Sequence, residues 1–123
     1  MISGVVNALL EATIRVSVQN ASGQEHDIEG LVDTGFNGSL TLPPALIAKL
    51  RLRWYTRSSI TLANGSKDEV DVYAATVIWD GGSRRILVEA TDAEPLIGMQ
   101  LMHRHIIRIE AIDGGGVEIE PLN

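Results

Sequence analysis

Few side chains in this chain could carry a reaction. Its 123 residues include no cysteine and three histidines, so neither a thiolate nucleophile nor a thiolate metal site is available. The closest histidines, His103 and His105, stand two apart and would face opposite sides of an extended segment. Among the 16 acidic residues, Asp33 is singled out by its setting, the run Leu31-Val32-Asp33-Thr34-Gly35-Phe36-Asn37-Gly38. A carboxylate held in a turn after an apolar strand is placed to act as a general acid or base. The tripeptide Asp33-Thr34-Gly35 occurs only once. On its own it also suits an ordinary hairpin corner, because Asp and Gly form turns and Thr favours strands.

The elements that must position Asp33 are mostly strands. Thr13 to Gln19 alternates with period two, as a half-buried strand does. Asn20-Ala21-Ser22-Gly23 turns the chain, and Gln24 to Val32 returns as a strand. Ser39 to Leu42 is a short strand stopped by Pro43-Pro44, and Ala45 to Leu50 follows as a short helix, since proline presets the first helical turn. Ser58 to Leu62 and Val70 to Trp79 form a hairpin around Ala63-Asn64-Gly65-Ser66. Asn-Gly there predicts a two-residue type I′ turn with two positive φ angles. Asp80-Gly81-Gly82-Ser83 turns into Arg84 to Thr91. Pro95-Leu96-Ile97-Gly98 leads to a second short helix, Met99 to His103. Ile106 to Ile112 and Val117 to Glu120 close the chain around Asp113-Gly114-Gly115-Gly116. Trp54 and Trp79 read as packing residues.

Composition sets the outer bounds. A chain of this length is expected to form one domain over residues 1–123 and to bury about two-thirds of its unfolded surface. Hydrophobic residues are 45% and aromatics only 4%, so the core must be aliphatic. The net charge of −6, from 16 acidic and 10 basic residues, repels phosphate backbones and argues against a nucleic-acid partner. The one basic cluster, Arg51-Leu52-Arg53 with Arg57, reads as a solvated helix end and strand start. The N-terminus lacks a basic segment followed by an apolar one. No apolar run nears the ~20 residues of a membrane helix. The expectation is a soluble cytoplasmic protein without membrane contact.

Taken in order, an apolar strand ending in Asp33-Thr34-Gly35, a long Asn64-Gly65 hairpin and Leu96-Ile97-Gly98 resemble the retropepsin-like aspartic peptidases. These are single-domain, homodimeric relatives of pepsin. The resemblance spans about Gln24 to His103. It implies a mainly β fold, a closed acid-protease-like β-barrel with two short helices and a flap hairpin. It also implies an aspartic endopeptidase in which Asp33 of each subunit supplies half of a catalytic dyad. Two carboxylates a hydrogen bond apart share one proton, so one can accept a proton from water while the other polarises the scissile carbonyl. No metal and no cofactor take part, and the partners are a second copy of the chain and a peptide or protein substrate.

By the same resemblance, Thr34, Gly35 and Gly98 support the active-site loop. Thr34 interlocks with the partner loop, and Gly98 packs beneath the loop where a side chain would clash. Phe36, Asn37, Ala63, Asn64 and Gly65 contact substrate, the last three in the flap, and the strand from Val117 to Leu122 completes the dimer. The chain departs from the retroviral pattern at Phe36, whose ring reshapes the nearest subsites. It departs again at Asn37 and Met99, which replace an Asp–Arg ion pair together and so leave no unpaired buried charge. Two other readings fit the residues: a retropepsin-like binding or dimerisation module with little or no catalysis, and a monomeric β-barrel ligand binder.

Overall fold

In the computed structural model, which describes all 123 residues, the aliphatic alternation becomes ten strands and one helix. In order these are β1 (Ile2–Val6), β2 (Ala12–Gln19), β3 (Glu25–Val32), β4 (Leu40–Leu42), α1 (Pro44–Leu50), β5 (Arg53–Thr61), β6 (Lys67–Trp79), β7 (Gly82–Ala90), β8 (Leu96–Ile97), β9 (His105–Ile109) and β10 (Gly116–Pro121). They form one sheet in the order β5-β6-β7-β4-β8-β3-β2-β1-β10-β9. A further pairing, Ser17 to Gln19 of β2 against Thr76 to Ile78 of β6, folds the sheet back on itself. β5 and β9 remain as free edges. No helix is long and apolar enough to cross a membrane.

The interior is a cluster of 20 buried residues, of which only Trp79 is aromatic. Val18, Leu40, Val77, Val88 and Ile97 are fully covered at its centre. The two shortest strands, β4 and β8, lie in the middle of the sheet, and β4 (Leu40-Thr41-Leu42) is buried throughout. β4 runs parallel to β7 and meets β8 antiparallel at Leu40 and Ile97, while β8 runs parallel to β3 through Leu31↔Leu96 and Val32↔Ile97. Thr41 is a polar residue within this layer. Its hydroxyl oxygen accepts the Leu96 N–H at 2.9 Å, satisfying a donor that water cannot reach freely.

Several expectations need correction. There is one helix, not two. Met99 to His103 forms a run of turns: Met102 N–H bonds to Gly98 O at helical spacing, but His103 and His105 N–H bond three residues back and no helical ladder follows. So short a segment cannot offset the cost of helix nucleation alone. The Asn64-Gly65 turn is not type I′, since only Gly65 has positive φ (83°). Leu62 N–H bonds to Ser66 and Gly65 N–H to Leu62, closing a three-residue loop with glycine at its left-handed position. The two-residue turn with both φ positive is Asp80-Gly81 (51° and 84°).

The C-terminal strand also differs. β10 lies between β1 and β9 of its own chain, so neither of its edges is open to a partner. Sequence reasoning missed β1, where Ser3-Gly4 breaks the apolar alternation, and started β5 five residues late.

Thr41→Val keeps the shape of the buried residue and strands the Leu96 N–H. Denaturant unfolding is expected to show a loss of about 1–3 kcal/mol. An unchanged midpoint would show that β4 and β8 do not depend on this bond.

Candidate active site

Asp33 follows directly on β3, and its backbone is held from the β8 side. Leu31 N–H bonds to Pro95 O and Asp33 N–H to Ile97 O, each at 2.9 Å, so the parallel pair continues one residue beyond β3. The chain then turns sharply. Phe36 N–H reaches back to Asp33 O at 3.2 Å, and Gly35 N–H donates to Asp33 Oδ1 at 2.9 Å. The carboxylate is half-buried, whereas Thr34 and Gly35 lie exposed beside it. The second carboxylate oxygen and the Thr34 hydroxyl make no hydrogen bond within the chain.

The loop rests on Gly98. Gly98 N–H bonds to Ser39 O at 3.0 Å, Met99 N–H to Phe36 O at 2.8 Å and Gln100 N–H to Gly38 O at 3.0 Å. A Cβ at position 98 would strike the Gly38 carbonyl oxygen and come within 2.6 Å of the Phe36 ring. The same ring would lie 2.5 Å from a Cβ on Gly38. Phe36 therefore folds back between two glycines of its own support. It does not line the neighbouring groove; Asn37 does.

That groove, about 820 Å³, runs from Asn37, Gly38 and Ser39 of the loop across one face of β5, β6 and β7. Its floor follows from the period of β7. Ile86 and Val88 point into the core, leaving Arg85, Leu87 and Glu89 on the opposite face. Arg53, Ala74 and Leu87 form one cross-strand row of that face, and Thr76 and Arg85 belong to the next. A bulge between Trp54 and Thr56 breaks the β5 alternation. Trp54 and Tyr55 are consequently 56% and 61% exposed at the groove wall. Trp54 is thus not a core residue, although Trp79 is. Trp79 donates its indole N–H to His105 Nε2 at 3.1 Å, giving His105 a structural partner.

Glu89 lies where groove and loop meet, with its carboxylate against Gly38. Burial pushes its carboxyl above the ordinary glutamate value.

Asp33, Thr34, Gly35, Phe36, Asn37 and Gly98 thus come together around one loop. Ala63, Asn64 and Gly65 do not join them. They occupy the exposed tip of the β5–β6 hairpin, away from the groove. Sequence reasoning missed the groove residues Arg53, Trp54, Arg85 and Glu89. The signal was available on β7, where Arg85, Leu87 and Glu89 alternate with apolar residues.

Two substitutions test this geometry. Gly98→Ala should cost about 3 kcal/mol through forced displacement of the loop, against about 1 kcal/mol for Gly65→Ala, which meets only its positive φ. Equal losses in denaturant unfolding would refute the close approach. Glu89 concerns pH. Its folded-state carboxyl binds a proton more readily than the unfolded one, so stability falls as pH rises through the raised value. Glu89→Gln removes that dependence. Its melting temperature relative to the parent should therefore be higher at pH 7 than at pH 4, and a constant difference would contradict the assignment.

No family model matches the chain, and no curated protein matches it in sequence. Its structure is similar to that of EIAV protease complexed with the inhibitor HBY-793, with a TM-score of 0.57 and 21% identity over 75% of this chain and 85% of that one. The solution structure of simian foamy virus (mac) protease matches at a TM-score of 0.49 and 17% identity, over 70% of this chain and 88% of that one. With Asp33 at the end of β3 and Gly98 beneath its loop, the chain has the retropepsin-like aspartic protease fold.

Proposed function

We propose that the protein is an aspartic endopeptidase, active as a two-fold homodimer in which Asp33 from each subunit forms the catalytic dyad. The observation that carries this reading is the Asp33 loop itself, a half-buried carboxylate held rigidly by β8 and Gly98 within a protease fold. One such loop per chain provides one carboxylate, so a second must come from another copy. The exposure of Thr34 and Gly35 suits that role. So does their apolar surround. The β1–β2 hairpin, whose Leu9 and Leu10 are 80% and 66% exposed, lies at the Asp33 end of β3 because Thr13 pairs with Leu31. Met99, bonded through its N–H to Phe36, is 42% exposed.

In the dyad, one carboxylate is ionised and the other protonated. The ionised one removes a proton from water as the oxygen attacks the scissile carbonyl carbon, and the protonated one hydrogen-bonds the carbonyl oxygen. Transfer of that proton gives a neutral tetrahedral diol and leaves the two carboxyl groups with one proton between them. Collapse of the diol breaks the C–N bond. The departing nitrogen takes the proton held by the dyad, and one diol hydroxyl gives its proton to the ionised carboxylate as the carbonyl reforms as a carboxylic acid, so the dyad again holds one proton. Substrate binds in extended form, and the Ala63-Asn64-Gly65 hairpin closes over it as a flap.

A second reading, a binding or dimerisation module without useful proteolysis, is favoured by one observation. β10 is enclosed by β1 and β9 of its own chain, which leaves the Asp33 face to hold a dimer without a shared terminal sheet.

Asp33→Asn separates the two readings. The parent should sediment as a dimer at tens of micromolar (about the weak-affinity range) and cleave a mixed peptide library with a bell-shaped pH profile on the acidic side of neutrality. The variant should keep the dimer and lose about a thousandfold or more in turnover. A purely monomeric parent, or undiminished cleavage by the variant, would overturn the dyad; an intact dimer with no cleavage by either protein would favour the module.

A further inference from the structure

The groove beside the Asp33 loop has a charge character opposite to that of the whole chain. Its lining holds Arg53 and Arg85 on one sheet face, Arg84 from the core-facing side of β7, and a single carboxylate, Glu89, in a protein with a net charge of −6. None of the three arginines forms an ion pair with a carboxylate of the chain, whereas Arg57, on the same strand as Arg53, pairs with Glu69 and Asp71. Arg84 is committed elsewhere. Its Nη1 donates to Leu101 O at 2.7 Å and its guanidinium stacks on Trp79 at 5.8 Å. Arg53 and Arg85 remain exposed and uncommitted, on one sheet face in successive cross-strand rows. Rows on one face repeat about 7 Å along the strands and β5 and β7 lie two strand spacings apart, so the two Cα atoms stand about 12 Å apart, within reach of two long side chains converging on one carboxylate. Leu87 lies in the Arg53 row and, with Trp54 and Tyr55, gives the groove an apolar floor and wall.

We propose that this groove selects substrates with an acidic side chain, Asp or Glu, held by Arg53 and Arg85 and flanked by bulky apolar residues against Leu87, Trp54 and Tyr55. The inference rests on the peptidase reading for its substrate. Its position follows from the chain itself: Asn37 to Ser39 form one end of the groove and stand four to six residues beyond Asp33. Asp33 itself does not line the groove, so the acidic residue belongs to the part of the peptide that extends past Asn37, a few positions from the cleaved bond. Carboxylate recognition by arginine is geometrically specific because the guanidinium presents a planar fork of donors. An acidic protein with a cationic cleft also steers acidic segments to that cleft and repels them elsewhere.

The test uses a positional peptide library with Glu compared against Gln at each position. Cleavage by the parent and binding by the Asp33→Asn protein, read by fluorescence anisotropy, are both measured. At one position Glu should be favoured about fivefold over Gln, with the preference shrinking as salt is added. The double variant Arg53→Glu/Arg85→Glu should lose about tenfold for the Glu peptide and gain for its Lys counterpart. Arg53→Gln/Arg85→Gln, a milder change at the same exposed sites, should abolish the preference without reversing it. Preferential binding of Glu peptides to Asp33→Asn, with no cleavage by the parent, would support the groove and defeat the peptidase reading. Cleavage indifferent to Glu against Gln at every position would overturn the groove and leave the peptidase reading intact. Equal displacement of bound peptide by inorganic phosphate or a single-stranded oligonucleotide would mark a general anion site and also overturn it.

Discussion

The structure depends on a close approach of two backbones, the loop from Asp33 to Ser39 and the segment from Ile97 to Gln100. Four main-chain hydrogen bonds join them, and the contact exists only because position 98 carries no side chain. Everything near Asp33 inherits its geometry from that contact. The aspartate cannot shift along β3 without breaking its bond to Ile97, and Phe36 is trapped between Gly38 and Gly98. The same bonds satisfy the Met99 and Gln100 donors, which a helix starting there would have left without an intrahelical acceptor.

Around this fixed point the charged residues are unevenly distributed. Exposed pairs such as Arg108 with Glu118 and Arg57 with Asp71 join strands on the surface, and pairs of that kind contribute little to stability. The arginines of the groove are different because they have no carboxylate partner in their own chain. Leaving guanidinium groups uncommitted beside a half-buried Glu89 is a poor device for stability. It is an efficient one for recognition, where the missing partner arrives with the ligand.

The terminal strands give the fold its own character. β1 is clasped between β2 and β10, and β9 closes the outside of that hairpin. β10 therefore has both edges paired within the chain, while the outer edge of β9 stays open.

Sequence alone determined the elements that obey a local rule. Period-two runs of Val, Ile and Leu specified β2, β3, β6 and β7. Pro43-Pro44 specified the start of α1, and the near absence of aromatics specified an aliphatic core. The place of Gly98 beneath the Asp33 loop was implied by the resemblance and not by residue type alone, since a glycine ending a strand also suits an ordinary turn. Tertiary structure decided what depends on partners distant in the chain. Met99 to His103 had a helical pattern, but the segment is anchored at its start to a loop some sixty residues earlier and makes one bond of helical spacing, Met102 N–H to Gly98 O. Asn64-Gly65 and Asp80-Gly81 offered similar turn chemistry, and strand register separated them, with Leu62 bonded to Ser66 around three residues and Trp79 opposite Gly82 around two. The groove was hidden for the same reason. Arg53, Arg85 and Glu89 share a face only after β5, β6 and β7 are in register, and register is set by the burial of their apolar neighbours.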